Sequence, residues 1–137
     1  MFKETQLFME ELEKNDLSGT LVEEDDENNI VRLLFGLQST DMRVYLFFEA
    51  DGHLGIRCNS FLRVTEDQFP AAVICCNELN KEMRWVKFYI DDDRDVNLED
   101  DAILDPHSAG KEAFELIMRM ATIADEAYPL INKAIWT

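Results

Sequence analysis

The chain has 137 residues, of which 29 are Asp or Glu and 13 are Lys or Arg, for a formal net charge of −16. Hydrophobic residues make up 47% and aromatic residues 10%, which excludes the disordered class, because acidic chains that stay unfolded are poor in both. The charge argues against DNA, RNA and anionic membranes as partners: affinity for phosphate surfaces comes from clustered Lys and Arg, whereas Arg32, Arg43, Arg57 and Arg63 stand singly.

Near the start, Phe2, Thr5, Met9 and Leu12 recur at helical spacing with Phe8 beside them, predicting a short amphipathic helix that ends at Asn15-Asp16 and Ser18-Gly19. The acidic run Glu23 to Glu27, like the carboxylates between Asp91 and Asp105, reads as solvated surface, with a docking face for a basic polypeptide segment as the alternative. Three stretches follow that are rich in β-branched, aromatic and large aliphatic residues: Ile30 to Gln38, Met42 to Glu49 and Leu54 to Cys58. Ser39-Thr40-Asp41 and the two-residue Asp51-Gly52 turn join them into an antiparallel three-strand meander. Along the second strand Val44, Leu46 and Phe48 point one way; Arg43, Tyr45, Phe47 and Glu49 point the other. The second face is too apolar at its centre to be left to water, so something is expected to cover part of it.

Thr65-Glu-Asp-Gln68 has the form of a capping box and opens a helix running to about Met83, with Pro70 near its start. Phe69, Val73, Cys76, Leu79 and Met83 are its expected buried face. Arg84 to Ile90 resumes strand character, with Val86, Phe88 and Ile90 on one side and Trp85, Lys87 and Tyr89 on the other. An acidic turn from Asp91 to Asp95 leads into the last strand, Val96 to Leu98. Pro106 introduces a long helix with two apolar stripes, one through Phe114, Ile117, Met118, Ala121 and Ala124, the other through Leu116, Met120, Ile123 and Ala127. Pro129 is expected to kink or end it, leaving Leu130 to Thr137 as a further turn or tail. The sum is an α+β fold in one domain over residues 1–137: helix, three-strand antiparallel meander, helix, β-hairpin, helix.

The longest apolar run, Ala71 to Cys76, is far shorter than a bilayer span, and the N-terminus lacks the basic and apolar regions of a signal peptide. Three cysteines, two of them adjacent, give no disulfide framework, so a soluble cytoplasmic protein is expected. Cys75 and Cys76 project about 100° apart on a helix and cannot readily clamp one ion, so each reads as a small buried hydrophobe. Asp91-x-Asp93-x-Asp95 looks like the opening of a calcium loop, but Val96 and Ala102 stand where such a loop needs Gly and a bidentate Glu. His53 and His107 have no Cys, Ser or carboxylate at a motif spacing that would make a triad or zinc site and read as surface residues. No phosphate-binding glycine loop or nucleophile elbow occurs. The sequence therefore offers no catalytic residue, cofactor site or metal site.

The string Cys76-Asn77-Glu78-Leu79-Asn80, followed by Arg84-Trp85-Val86-Lys87-Phe88-Tyr89-Ile90 and an acidic turn, resembles the YbjN family of bacterial sensory transduction regulators. The similarity extends to the element order and to Asp125-x-x-Tyr128-Pro129. It implies a type III secretion chaperone-like fold, a homodimer, and a binding or adaptor role without catalytic residues. The chain departs from the family pattern at the hairpin, where Asp93-Arg94-Asp95 replaces an acidic-Gly pair; the turn geometry, more than the fold, is put in question there.

These readings converge on a non-enzymatic protein-binding adaptor or chaperone-like regulator, in bacterial signalling or stress response, that forms a homodimer and can hold a polypeptide partner. The expected partner or dimer surface comprises Tyr45, Phe47, Trp85, Tyr89, Leu116, Met120 and Ile123. The alternative is a small-molecule-sensing regulatory domain with its ligand between the sheet and the long helix.

Overall fold

A computed structural model describes residues 1–137. In chain order the elements are α1 (Lys3–Lys14), β1 (Thr20–Glu24), β2 (Asn28–Gly36), β3 (Asp41–Glu49), β4 (His53–Arg63), α2 (Phe69–Glu82), β5 (Lys87–Ile90), β6 (Asp95–Ile103) and α3 (Ala109–Ile135). The six strands form one antiparallel sheet in the order β1-β2-β3-β4-β6-β5, so the α+β class expected from the sequence is the one observed. Alternation works as anticipated in β3: Val44, Leu46 and Phe48 are buried beneath the helices, and Phe8 of α1 meets Phe48 at 5.5 Å between ring centroids.

All the helices lie on that inner side of the sheet. Asn29, buried in β2, anchors the start of α1 by accepting from the Phe2 backbone N–H at 2.8 Å and the Thr5 hydroxyl at 2.9 Å. The spine of the helical layer is α3, which packs against both α1 and α2 through a stripe of small residues that includes Ala113, Ala121 and Ala124. Gly110 marks the closest approach of α1 to α3: a Cβ there would stand 2.5 Å from the Leu7 carbonyl oxygen.

Five sequence expectations need correction. First, β1 went unrecognised, because two carboxylates fill its last two positions; as an edge strand it tolerates such charge, which also discourages pairing with other chains. Second, β4 and β6 run to Arg63 and Ile103, well past the Cys58 and Leu98 expected. A bulge at Ser60, whose φ is +56°, interrupts the β4 pattern; the Glu99-Asp100-Asp101 run masks β6. Third, β5 begins only at Lys87: Trp85 has a φ of +75° in the preceding loop and does not share a strand face with Tyr89.

Fourth, the buried face of α2 is Ala72, Cys76 and Leu79, while Phe69 and Val73 remain exposed. The capping box is present, with reciprocal bonds between Thr65 and Gln68, but it closes a turn ahead of the helix, which starts at Phe69 and takes Pro70 in its first turn. Fifth, α3 continues through Pro129 to Ile135. A proline there removes the N–H that would reach the Asp125 carbonyl. The Ser39 hydroxyl donates to that carbonyl at 3.3 Å and to the Asp125 carboxylate at 2.9 Å, and the Ser39 N–H donates to the same carboxylate at 3.1 Å. The β2–β3 turn thus satisfies what the proline leaves open.

Candidate functional site

The outer face of the sheet carries no helix. Register places Arg32, Tyr45, Arg57, Glu99 and Lys87 in one row across β2, β3, β4, β6 and β5. Ile30, Phe47 and Gly55 form the next row, with Leu34 and Ile103 toward the ends. Leu34 is 65% exposed and Ile103 76%; Tyr45, Phe47 and Tyr89 are half-buried by their neighbours in the sheet alone. The covering element expected from the apolar centre of this face is therefore absent within one chain.

Charge on this face is mixed. Arg32, Arg43, Arg57, Arg63 and Lys87 stand among Glu23, Asp41, Glu49, Asp95, Glu99 and Asp101, with Asp91 of the β5–β6 turn bonded to Asn97 on the same side, so most of the sixteen surplus negative charges lie elsewhere. Arg57 is held by Asp101 at 2.9 Å and Glu99 at 3.5 Å, and donates to the Ile56 and Asp100 carbonyls. Glu99 also receives Lys87 at 3.1 Å and the Tyr89 hydroxyl at 3.1 Å. Burial pushes the Glu99 carboxyl up, but the bonds from Lys87 and Tyr89 outweigh it and hold the group below its ordinary value. An anion fixed between cations in this way is a structural tie, not a free acid or base.

A second feature lies between β6 and α3. An open-mouthed pocket of about 300 Å³ is lined by Trp85, Asp100, Leu104, Glu112, Leu116 and Arg119, among others. The Arg119 guanidinium sits 5.2 Å from the Trp85 ring, a cation–π contact, and is paired with Glu115 at 2.7 Å. Asp100 points to the helix side of the sheet, where its Oδ2 is buried without a hydrogen-bond partner; burial pushes its carboxyl up to about 6.

The surface residues expected from the sequence divide accordingly. Tyr45, Phe47 and Tyr89 lie on the open sheet face. Trp85, Leu116 and Ile123 gather on the exposed side of α3, where Trp85 borders one pocket with Leu116 and an adjoining one with Ile123. Met120 is fully buried, so it belongs to the core and to no surface. Sequence reading missed Ile30, Arg32, Leu34, Arg57 and Ile103; the alternation Ile30-x-Arg32-x-Leu34 within β2 was the available signal for the first three.

The remaining chemistry-bearing groups are quiet. Burial pushes the Cys58 thiol up to about 12 and Cys76 to about 11, which removes thiolate character at neutral pH; Cys75 is half-buried, with Sγ 3.9 Å from the Leu130 carbonyl. His53 and His107 are exposed and each pairs with a neighbouring aspartate, Asp51 and Asp105. In the β5–β6 turn the Asp91 carboxylate accepts from Asn97 Nδ2 and from the Asp93 and Asp95 amides, so its oxygens serve the chain's own donors, and those bonds hold it below the ordinary carboxylate range. Arg94 takes a φ of +65° in this turn, and its Nε donates to the Val64 carbonyl at 3.2 Å. The Asn80 side chain, part of the string that carries the resemblance, accepts from the Phe88 N–H at 2.8 Å and donates to the Phe88 carbonyl at 2.9 Å. It closes the outer edge of β5 as another strand would.

Comparison with known proteins agrees with this architecture. The sequence profile of the YbjN family, described as "putative bacterial sensory transduction regulator", matches residues 7–133. The chain belongs to the YbjN family. No curated protein matches it. Among solved structures, a crystal structure of YbjN from E. coli, described as "a putative transcription regulator", aligns over 90% of both chains with a TM-score of 0.52 and 12% identity, a likeness of fold. Both descriptions are of regulators. No helix is long and apolar enough to cross a membrane.

Proposed function

We propose that this chain is a cytoplasmic, non-enzymatic regulatory adaptor that works by binding polypeptide, and that the open sheet face is its self-association surface. The observation that carries this reading is the contrast between faces: a protein of charge −16 keeps one broad surface close to neutral, studded with Ile30, Leu34, Tyr45, Phe47 and Ile103. Apolar surface of this extent on a soluble protein marks an interaction site. The six strands hold 47 residues, which at about 3.3 Å each and about 4.8 Å between strands present on the order of 700 Å², close to the roughly 800 Å² per partner of a stable interface. Mixed charge suits a second copy, since rows of Arg and Glu can meet their opposites across a two-fold axis, whereas two strongly acidic surfaces repel.

Tyrosine footprinting tests the assignment. Tyr45 and Tyr89 are expected to lose reactivity as protein concentration rises, with Tyr128, packed on the inner side against Phe61, unchanged. Equal reactivity of Tyr45 and Tyr89 at all concentrations contradicts it.

A small-molecule-sensing domain is the second reading, favoured by the pocket between β6 and α3 with its unpartnered Asp100 oxygen. A metabolite that raises the melting temperature of the wild-type chain, but not of Leu116→Trp, supports it; no shift across a broad panel removes it.

A further inference from the structure

On the helical side, away from both features above, α2 and the end of α3 enclose a shallow groove of about 480 Å³. Its floor and walls are Ala71, Ile74, Leu79, Met83, Leu130 and Ala134. Ile74 is 66% exposed and Leu130 49%, so two large aliphatic side chains from different helices meet water at the same place. The only charged lining residues are Glu78 and Glu82, one turn apart on α2, and neither is engaged in an ion pair; Lys81 and Lys133 of the same helices lie outside the lining. Ala71 to Glu82 covers about 16 Å of helix, or about three turns, with Met83 at its end. An apolar trough of that length takes the stripe of one amphipathic helix, with anchors at i, i+3 or i+4, and i+7.

We propose that this groove is a docking site for a basic amphipathic helix of a partner protein, its aliphatic stripe against Ile74 and Leu130 and its flanking Lys or Arg against Glu78 and Glu82. The proposal rests on the polypeptide-binding reading and gives it a second surface with a partner of defined chemistry. Charge complementarity selects this occupant over a second copy of the chain: two grooves rimmed by unpaired carboxylates repel each other. It also orders partners kinetically, because the −16 field draws a basic segment in before the apolar contact forms.

The test uses the full chain and a labelled peptide of about 15 residues, helical, with Leu along one face and Lys beside it, together with a matched peptide carrying Glu for Lys. Fluorescence anisotropy is expected to show binding of the Lys peptide only, weakening as salt rises. Ile74→Gln and Leu130→Gln, at exposed positions and neutral in charge, are each expected to weaken it by about tenfold. Glu78→Lys with Glu82→Lys should reverse the preference between the peptides. Phe47→Asp, on the opposite face, should bind as wild type does. The proposal is overturned if the Lys peptide fails to bind, if binding is insensitive to Ile74→Gln and Leu130→Gln, or if those variants instead dissociate copies of the chain. Loss of self-association in Phe47→Asp alongside either of the first two results leaves the sheet-face reading standing and sinks the groove alone.

Discussion

Asp100 is the one carboxylate whose pKa is raised rather than lowered by its surroundings. Its folded value, raised by burial to about 6, lies above the ordinary 3.8, so the folded chain holds the proton more tightly than the unfolded chain does. The contribution to stability is therefore most favourable below pH 3.8 and is lost as pH rises through about 6. Asp100→Asn should raise stability at pH 7 by on the order of 1 kcal/mol, a figure kept well under the full shift because the carboxyl is part-exposed and screened. Denaturation midpoints of the two proteins should converge near pH 3.5; a gain that is the same at both pH values would show that ionisation of Asp100 is not its source. Asn80 acts in the opposite direction. Asn80→Ala removes both bonds to Phe88 and should cost about 1–2 kcal/mol, with the Phe88 amide losing protection from hydrogen exchange while Leu98 on the neighbouring strand keeps its own.

Among the elements, the crossing of α1 over α3 depends on the missing side chain at Gly110. Gly110→Ala gains helix propensity but drives a methyl into the Leu7 backbone, which cannot yield as a flexible side chain would. A net loss of about 1–3 kcal/mol is expected in chemical denaturation, and a stabilised variant would mean that the helices can separate without penalty. Elements with clean periodicity were legible in the sequence: β2, β3 and the hairpin order follow from apolar spacing, whereas in α2 the helix was legible and its buried face only in part. Elements whose polar side chains are matched across the sheet were not. Glu99 and Asp101 look like loop residues until Arg57 is seen beside them, and β1 hides in an acidic run because its carboxylates lie on an edge. Pro129 misled for a related reason: the group that answers its missing hydrogen bond, Ser39, lies 86 positions from Asp125 in sequence, beyond any local rule.

At the scale of the whole molecule, the chain leaves one broad sheet face uncovered by its own helices and carries most of its surplus acid elsewhere. Alternation in β3 was enough to foresee an unusual second face, and Tyr45, Phe47 and Tyr89 lie on it. It could not show that Trp85 belongs with α3, since that depends on a left-handed residue just before β5. Nor could it show that Met120 turns inward, because α3 is apolar on several sides and packs against both other helices. The family description is of a regulator, and the open sheet face suits a molecule that acts through contact.

Sedimentation equilibrium over a concentration series tests the role of that face most directly. The wild-type chain should approach twice its 15.9 kDa mass at micromolar concentration, and Phe47→Asp, which places a carboxylate at the centre of the face, should remain at 15.9 kDa with an unchanged circular dichroism spectrum. A wild-type protein that stays at the monomer mass throughout the series, or a Phe47→Asp variant that associates as the wild type does, would contradict the account.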